Sequence, residues 1–298
     1  MKLEQVSRKQ SKIRLGIQGP SGSGKSIGAL QIAFGLSNDW SKVSVIDTEY
    51  GSANLYSELG AYNVLSLTAP FSPEKYEEAI HTCESAGMEV IIIDSISHEW
   101  ESTGGILDIH SSMAGNSFTN WGKLTPRHNA FVQAILRSPC HILVTIRSKQ
   151  DYVLTDKNGK MVPEKVGLKG VQRDGIEYEL TTLFELDIKH NATSSKDRTS
   201  LFGGIPEFKL SQEVGRKLLE WCNQGTVENS EKALIERINQ VRSIPELLQL
   251  YKNNPAYQDS LHEEFANQRK RLDINKTVHE LIQNKSQSAN GKYDVSNH

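Results

Sequence analysis

The stretch Gly19-Pro20-Ser21-Gly22-Ser23-Gly24-Lys25-Ser26 decides how the rest of the chain is read. It spells G-x-x-x-x-G-K-[ST], and each part of that spelling has a physical purpose. Glycines let the backbone wrap around an anion with its N–H groups turned inward. The loop ends where a helix begins, and the partial positive charge of a helix N-terminus favours phosphate. Lys25 has the length to meet the β- and γ-phosphates of a nucleoside triphosphate, and the Ser26 hydroxyl is a hard ligand for Mg²⁺. The motif requires a strand before it and a helix after it. Ile13–Gln18 reads as the strand and Lys25–Leu36 as the helix.

Working outward, short apolar runs alternate with helical patterns as far as about residue 147. Lys42–Asp47, rich in β-branched residues, reads as a strand, and Tyr62–Leu67 as a weaker one. Pro73–Ala86 is a helix with proline near its start. Val90–Asp94 and Cys140–Ile146 are unbroken apolar runs, as in strands buried on both faces, and Asn120–Arg137 between them is helical. Strands that alternate with helices imply right-handed βαβ units and a mostly parallel sheet.

Beyond residue 147 the pattern changes. Asp151–Leu154 and Lys160–Val162 flank Asn158-Gly159, a strong hairpin signal. Leu183–Lys189 and Thr199–Phe202 read as further strands, separated by a polar turn-rich stretch at Asn191–Asp197. Antiparallel strands added to the sheet are expected here, followed by a helix at Ser211–Asn223. The organisation expected is an α/β core over residues 11–225, a small helical appendage over 226–285 and a disordered tail over 286–298. The appendage helices are read at Glu228–Val241, Pro245–Tyr251, Tyr257–Leu272 and Thr277–Asn284.

Composition narrows the classes. A hydrophobic share of 37% and a charged share of 23% over 298 residues suit a globular protein with a sizeable core. A formal net charge of −2 gives no whole-chain electrostatic case for nucleic acid, so such binding needs a local basic patch. Cys83, Cys140 and Cys222 are far apart and show no CxxC pairing, which argues against a disulfide framework or a zinc site. The opening MKLEQVSRKQSK lacks the apolar centre of a secretory signal, and no apolar run approaches the ~20 residues that cross a bilayer. A cytoplasmic protein with reduced thiols and no membrane partner is expected.

The remaining candidates are acidic and basic residues at strand ends. Asp94 closes the run Val90-Ile91-Ile92-Ile93, where an aspartate beside a phosphate loop holds Mg²⁺ together with Ser26. Hydrolysis also needs a carboxylate that orients the attacking water. Glu49, after the strand ending Ile46-Asp47-Thr48, and Glu99, five residues past Asp94, both qualify. The alternative for each is an exposed loop carboxylate.

The order phosphate loop, Ile46-Asp47-Thr48-Glu49, then Ile93-Asp94-Ser95 resembles the RecA-like ATPases. The resemblance implies a RecA-like P-loop NTPase fold, ATP with Mg²⁺ as ligands, and Glu49 ahead of Glu99 as the catalytic carboxylate. RecA-like proteins carry a polar γ-phosphate sensor, usually glutamine, at the end of the strand that here reads Val144-Thr145-Ile146-Arg147. Arg147 departs from that pattern and would report the phosphate by charge.

A narrower resemblance rests on Arg147-Ser148-Lys149, Lys165–Gly170 and Gln172-Arg173-Asp174-Gly175-Ile176-Glu177-Tyr178-Glu179. These are similar to the compact RecA-like AAA-family ATPases of phages and prophages, some of them Sak-type single-strand annealing or recombination proteins. That implies binding to single-stranded DNA and a homo-oligomeric ring or filament. It also implies a lysine or arginine supplied to the neighbouring subunit's ATP, for which Lys169 and Arg173 stand in the right region, near glycines that suggest a mobile or tightly turning loop. From Arg147 to Arg173 the bases outnumber the acids, a weak local signal for a polyanion. Two other classes stay open: a nucleotide-switched assembly ATPase acting on a protein partner without DNA, and a small-molecule kinase. The kinase is disfavoured because Gln172–Glu179 is not an arginine-rich lid.

Overall fold

The computed structural model describes residues 11–157, 160–223 and 227–273. The strands are β1 (Arg14–Gly19), β2 (Val43–Asp47), β3 (Asn63–Ser66), β4 (Val90–Asp94), β5 (His141–Lys157), β6 (Lys160–Gly170), β7 (Thr182–Leu186) and β8 (Ala192–Asp197). They form one sheet in the order β3-β2-β4-β5-β1-β7-β8, with β6 attached to β5 alone. All pairings are parallel except β5 with β6 and β7 with β8. The α/β core is therefore a mostly parallel sheet with antiparallel additions, flanked by helices.

The apolar runs occupy the centre because both faces are covered there. Alternation along β4 sends Val90 and Ile92 to one face, where α1 (Lys25–Ser37) packs. Ile91 and Ile93 go to the other face, against Tyr76 and Ile80 of α2 (Pro73–Ser85). The short helices α3 (Ser97–Glu101) and α4 (Ile106–Ser112) lead into α5 (Ser117–Arg137), which covers that second face with Phe131 and Ile135. A single turn, α6 (Ile176–Glu179), precedes β7, and α7 (Gln212–Asn223) lies beside α1 on the first face.

That last contact depends on two glycines. A Cβ on Gly35 would stand 2.1 Å from the Gln212 carbonyl oxygen, and one on Gly215 would stand 2.2 Å from that of Ile32. Backbone cannot yield as a side-chain tip can. Gly35→Ala is therefore expected to destabilise the protein by about 1–3 kcal/mol, the usual range for overpacking. A thermal melt checks this, and an unchanged midpoint would refute the close approach.

Three expectations are corrected. Asn191–Asp197 is not a turn-rich gap, since Ala192–Asp197 is strand β8, paired antiparallel with β7. Thr199–Phe202 is not a strand; it bends around the Asp197 carboxylate, which accepts from the N–H groups of Thr199 (2.7 Å), Phe202 (2.7 Å) and Gly203 (3.2 Å). A polar outermost strand carries little hydrophobic alternation, so its register is set by backbone pairing. The third correction concerns β5, which continues well past Ile146 and pairs with β6 from Ser148↔Gly170 outward. Lys169 thus lies in a strand rather than in a turning loop. The Asn158-Gly159 turn lies outside the described residues.

Among the described residues, one compact unit runs from 11 to 222. A second begins at Asn223 and contains α8 (Val227–Gln240), α9 (Ile244–Lys252) and a helix over residues 262–273. It has its own small core of Leu234, Ile238, Leu247, Leu250, Leu261 and Phe265. The helix expected at Thr277–Asn284 and the tail after Ser286 lie outside the described residues.

Candidate active site

Open α/β sheets bind ligands beyond the carboxyl ends of their strands. Here β1 ends with Gly19 opposite Arg147 of β5, and β2 ends with Asp47 opposite Asp94 of β4. Parallel pairing thus carries four distant sequence segments to one edge.

Gly22 (φ 77°) and Gly24 (φ 87°) take the left-handed conformation that glycine adopts without penalty, and Gly24 leads directly into α1. The Lys25 ammonium spans the loop and donates to the carbonyls of Gly19 (3.0 Å) and Pro20 (2.8 Å). Burial pulls Lys25 below the ordinary lysine range, opposed by the charges of Asp94 and Glu49. Asp94 is 4% exposed and accepts from the hydroxyls of Ser26 and Thr145, each at 2.5 Å. Burial pushes its carboxyl above the usual range, and those two hydrogen bonds pull it back.

Glu49 sits on a loop braced from behind. The Asp47 carboxylate accepts from Glu49 N–H (2.7 Å) and Ala53 N–H (3.3 Å). Buried Thr48 accepts from Ser95 N–H (2.8 Å), tying this loop to the end of β4. Glu49 itself receives a two-pronged contact from Arg147, Nε to Oε1 at 2.9 Å and Nη2 to Oε2 at 2.6 Å. Arg147 is held in turn by its backbone N–H, which donates to Ser97 Oγ at 2.9 Å.

Lys25, Ser26, Glu49, Asp94 and Arg147 line one cavity of about 420 Å³, together with the loop residues Ser21, Gly22 and Gly24. Three further residues line it that the sequence reading did not assign: Ser52, Tyr56 and Ser148. Ser148 adjoins Arg147 and had that adjacency as a signal, whereas nothing marked Ser52 or Tyr56. The residues present fit a magnesium–triphosphate. Of the residues that line it, Ser52 and Ser148 carry buried hydroxyls with no hydrogen-bond partner among the described residues. Ser26 and Asp94 supply the hard oxygens that Mg²⁺ prefers.

Other candidates lie elsewhere. Glu99 is fully buried and faces His128 Nδ1 (3.1 Å) and Gln172 Nε2 (3.2 Å), away from the residues that line this cavity. Lys169 pairs with Asp174 at 2.8 Å, and Arg173 Nη2 reaches Thr125 Oγ1 at 3.4 Å. Both basic residues line neighbouring cavities and not that of their own phosphate loop.

Sheet order and phosphate loop together define a P-loop NTPase of the α/β class. The model of the AAA domain family matches residues 11–214, and the chain belongs to that family, an AAA-type P-loop ATPase. No curated protein matches the chain significantly. Among the described residues, no helix is long and apolar enough to cross a membrane.

Proposed function

We propose that this chain hydrolyses ATP with Mg²⁺ in the cavity at Lys25, and that single-stranded DNA governs the rate, as the motifs shared with the compact Sak-type phage group imply. The observation that carries the catalytic part is the gathering of Lys25, Asp94, Glu49 and Arg147 around one space. Gly19 to Ser26 cradles the phosphates, and Lys25 neutralises charge on the β- and γ-oxygens. Ser26 and Asp94 would hold Mg²⁺, which when bound offsets the charge that develops in phosphoryl transfer. Glu49 orients the attacking water and receives its proton.

The Arg147–Glu49 pair gives this chemistry a gate. A γ-phosphate competes with the carboxylate for the same forked donor. As Arg147 turns to the phosphate, the Glu49 oxygens become available to water. Tyr56 offers the nucleotide base an aromatic face. Lys169 or Arg173 serves the ATP of an adjacent copy in a ring or filament; the support is that neither lines its own chain's nucleotide cavity.

Phosphate release measured with and without single-stranded DNA tests this proposal. Turnover is expected to rise severalfold with DNA, and the stimulation to fade as salt rises. ATP-driven assembly with a rate indifferent to DNA would replace it with the reading of an assembly ATPase acting on a protein partner.

A further inference from the structure

A cluster of aromatic rings stands beside the base of the β5–β6 hairpin. Trp121 of α5 stacks on His110 of α4 (centroids 4.4 Å, planes at 24°) and on Trp100 of α3 (5.9 Å, 26°). Both tryptophans are only half-buried, and neither belongs to the two cores that hold the sheet. They line a cavity of about 450 Å³ together with Lys149, Lys169, Arg173 and one carboxylate, Asp174. One turn before Trp121 on the same helix, Phe118 is 86% exposed.

The cations converge on one side of the hairpin. Lys149 and Lys169 are directly opposite on antiparallel β5 and β6, so their stems leave the same side of the hairpin. Like charges in that position oppose pairing. Glu101, 3.6 Å from Lys149, and Asp174, 2.8 Å from Lys169, pair with them and hold the two ammonium groups in place. Flat apolar ring surface beside an exposed ammonium matches one ligand chemistry: a base that lies on the rings while its phosphate meets the ammonium. An acidic peptide would satisfy the cations and leave the exposed ring surface uncovered.

We infer that this cavity seats a base of single-stranded DNA against the exposed ring surfaces of Trp121 and Trp100, with Lys149 on the adjoining phosphate. The inference rests on the reading of single-stranded DNA as the activator and names where that strand lies. The location also accounts for coupling. Lys149 and Arg147 are two residues apart on β5, and Ser97, which holds Arg147, begins the helix that carries Trp100. A strand pressing on that helix and hairpin therefore acts on the Arg147–Glu49 pair.

The test is fluorescence anisotropy of a labelled oligothymidylate with the full chain and its variants. Trp121→Ala is expected to bind roughly tenfold to a hundredfold more weakly, and Trp121→Phe to recover most of the loss. Lys149→Glu is expected to weaken binding and lower the salt slope by about one. All three should bind a fluorescent ATP analogue as the unaltered protein does. If Trp121→Ala fails to fold, Lys149→Glu, an exposed site, still decides. Variants that bind the oligonucleotide as tightly as the parent overturn this location and leave the DNA-dependent reading standing. No binding by the parent removes both. A blunt duplex that competes equally well also overturns the stacking site, because paired bases keep their faces covered.

Discussion

Lys25→Ala is expected to stop ATP turnover to within the background of a phosphate-release assay, while the protein keeps its thermal midpoint to within a few degrees. The ammonium sits among the loop carbonyls of Gly19 and Pro20 and faces Asp94 and Glu49 across the cavity. Alanine removes a preorganised positive charge from the place where phosphoryl oxygens gain negative charge. Losing one such donor elsewhere lowers rates by about 10²–10³-fold, and a full ammonium in a partly buried site should reach at least that. The effect falls on binding as well, so ATP affinity should drop in the same variant. Turnover at the parental rate would show that the loop is not the catalytic phosphate site.

Glu49→Gln separates chemistry from binding. Glutamine keeps the shape and can still meet Arg147, but it cannot take a proton from water. A fall of about 10²–10⁴-fold in kcat is expected, with nucleotide affinity retained or improved. Glu99→Gln is the control. Its carboxylate is fully buried against His128 and Gln172, so that change should lower stability and spare turnover. Reversed outcomes, with Glu49→Gln active and a folded Glu99→Gln inactive, would exchange the two roles.

Much of the core was legible because its signals are local. The phosphate loop, the buried runs at Val43–Asp47 and Val90–Asp94, and the proline that opens α2 each state their conformation within a few residues. The strand β8 was not legible, because a polar edge strand earns its place by pairing with β7 and shows little pattern of its own. Tyr56 was hidden for a related reason, since a tyrosine on a short helical turn lines a cavity only when the loop after β2 folds back over it. The Trp100–Trp121 stack joins two helices, and neither helix alone foretells it.

By itself the sequence determined that this chain carries a phosphate-binding loop between a strand and a helix, inside an alternating α/β core. Those properties follow from spelling and periodicity, which backbone geometry converts directly into local structure. Only the tertiary structure decided which distant charges meet: that Arg147 grips Glu49, that Glu99 turns inward to His128, and that Lys149 stands opposite Lys169. Sheet order and strand register set those encounters, and they arise from packing across the whole sheet, which no short segment encodes.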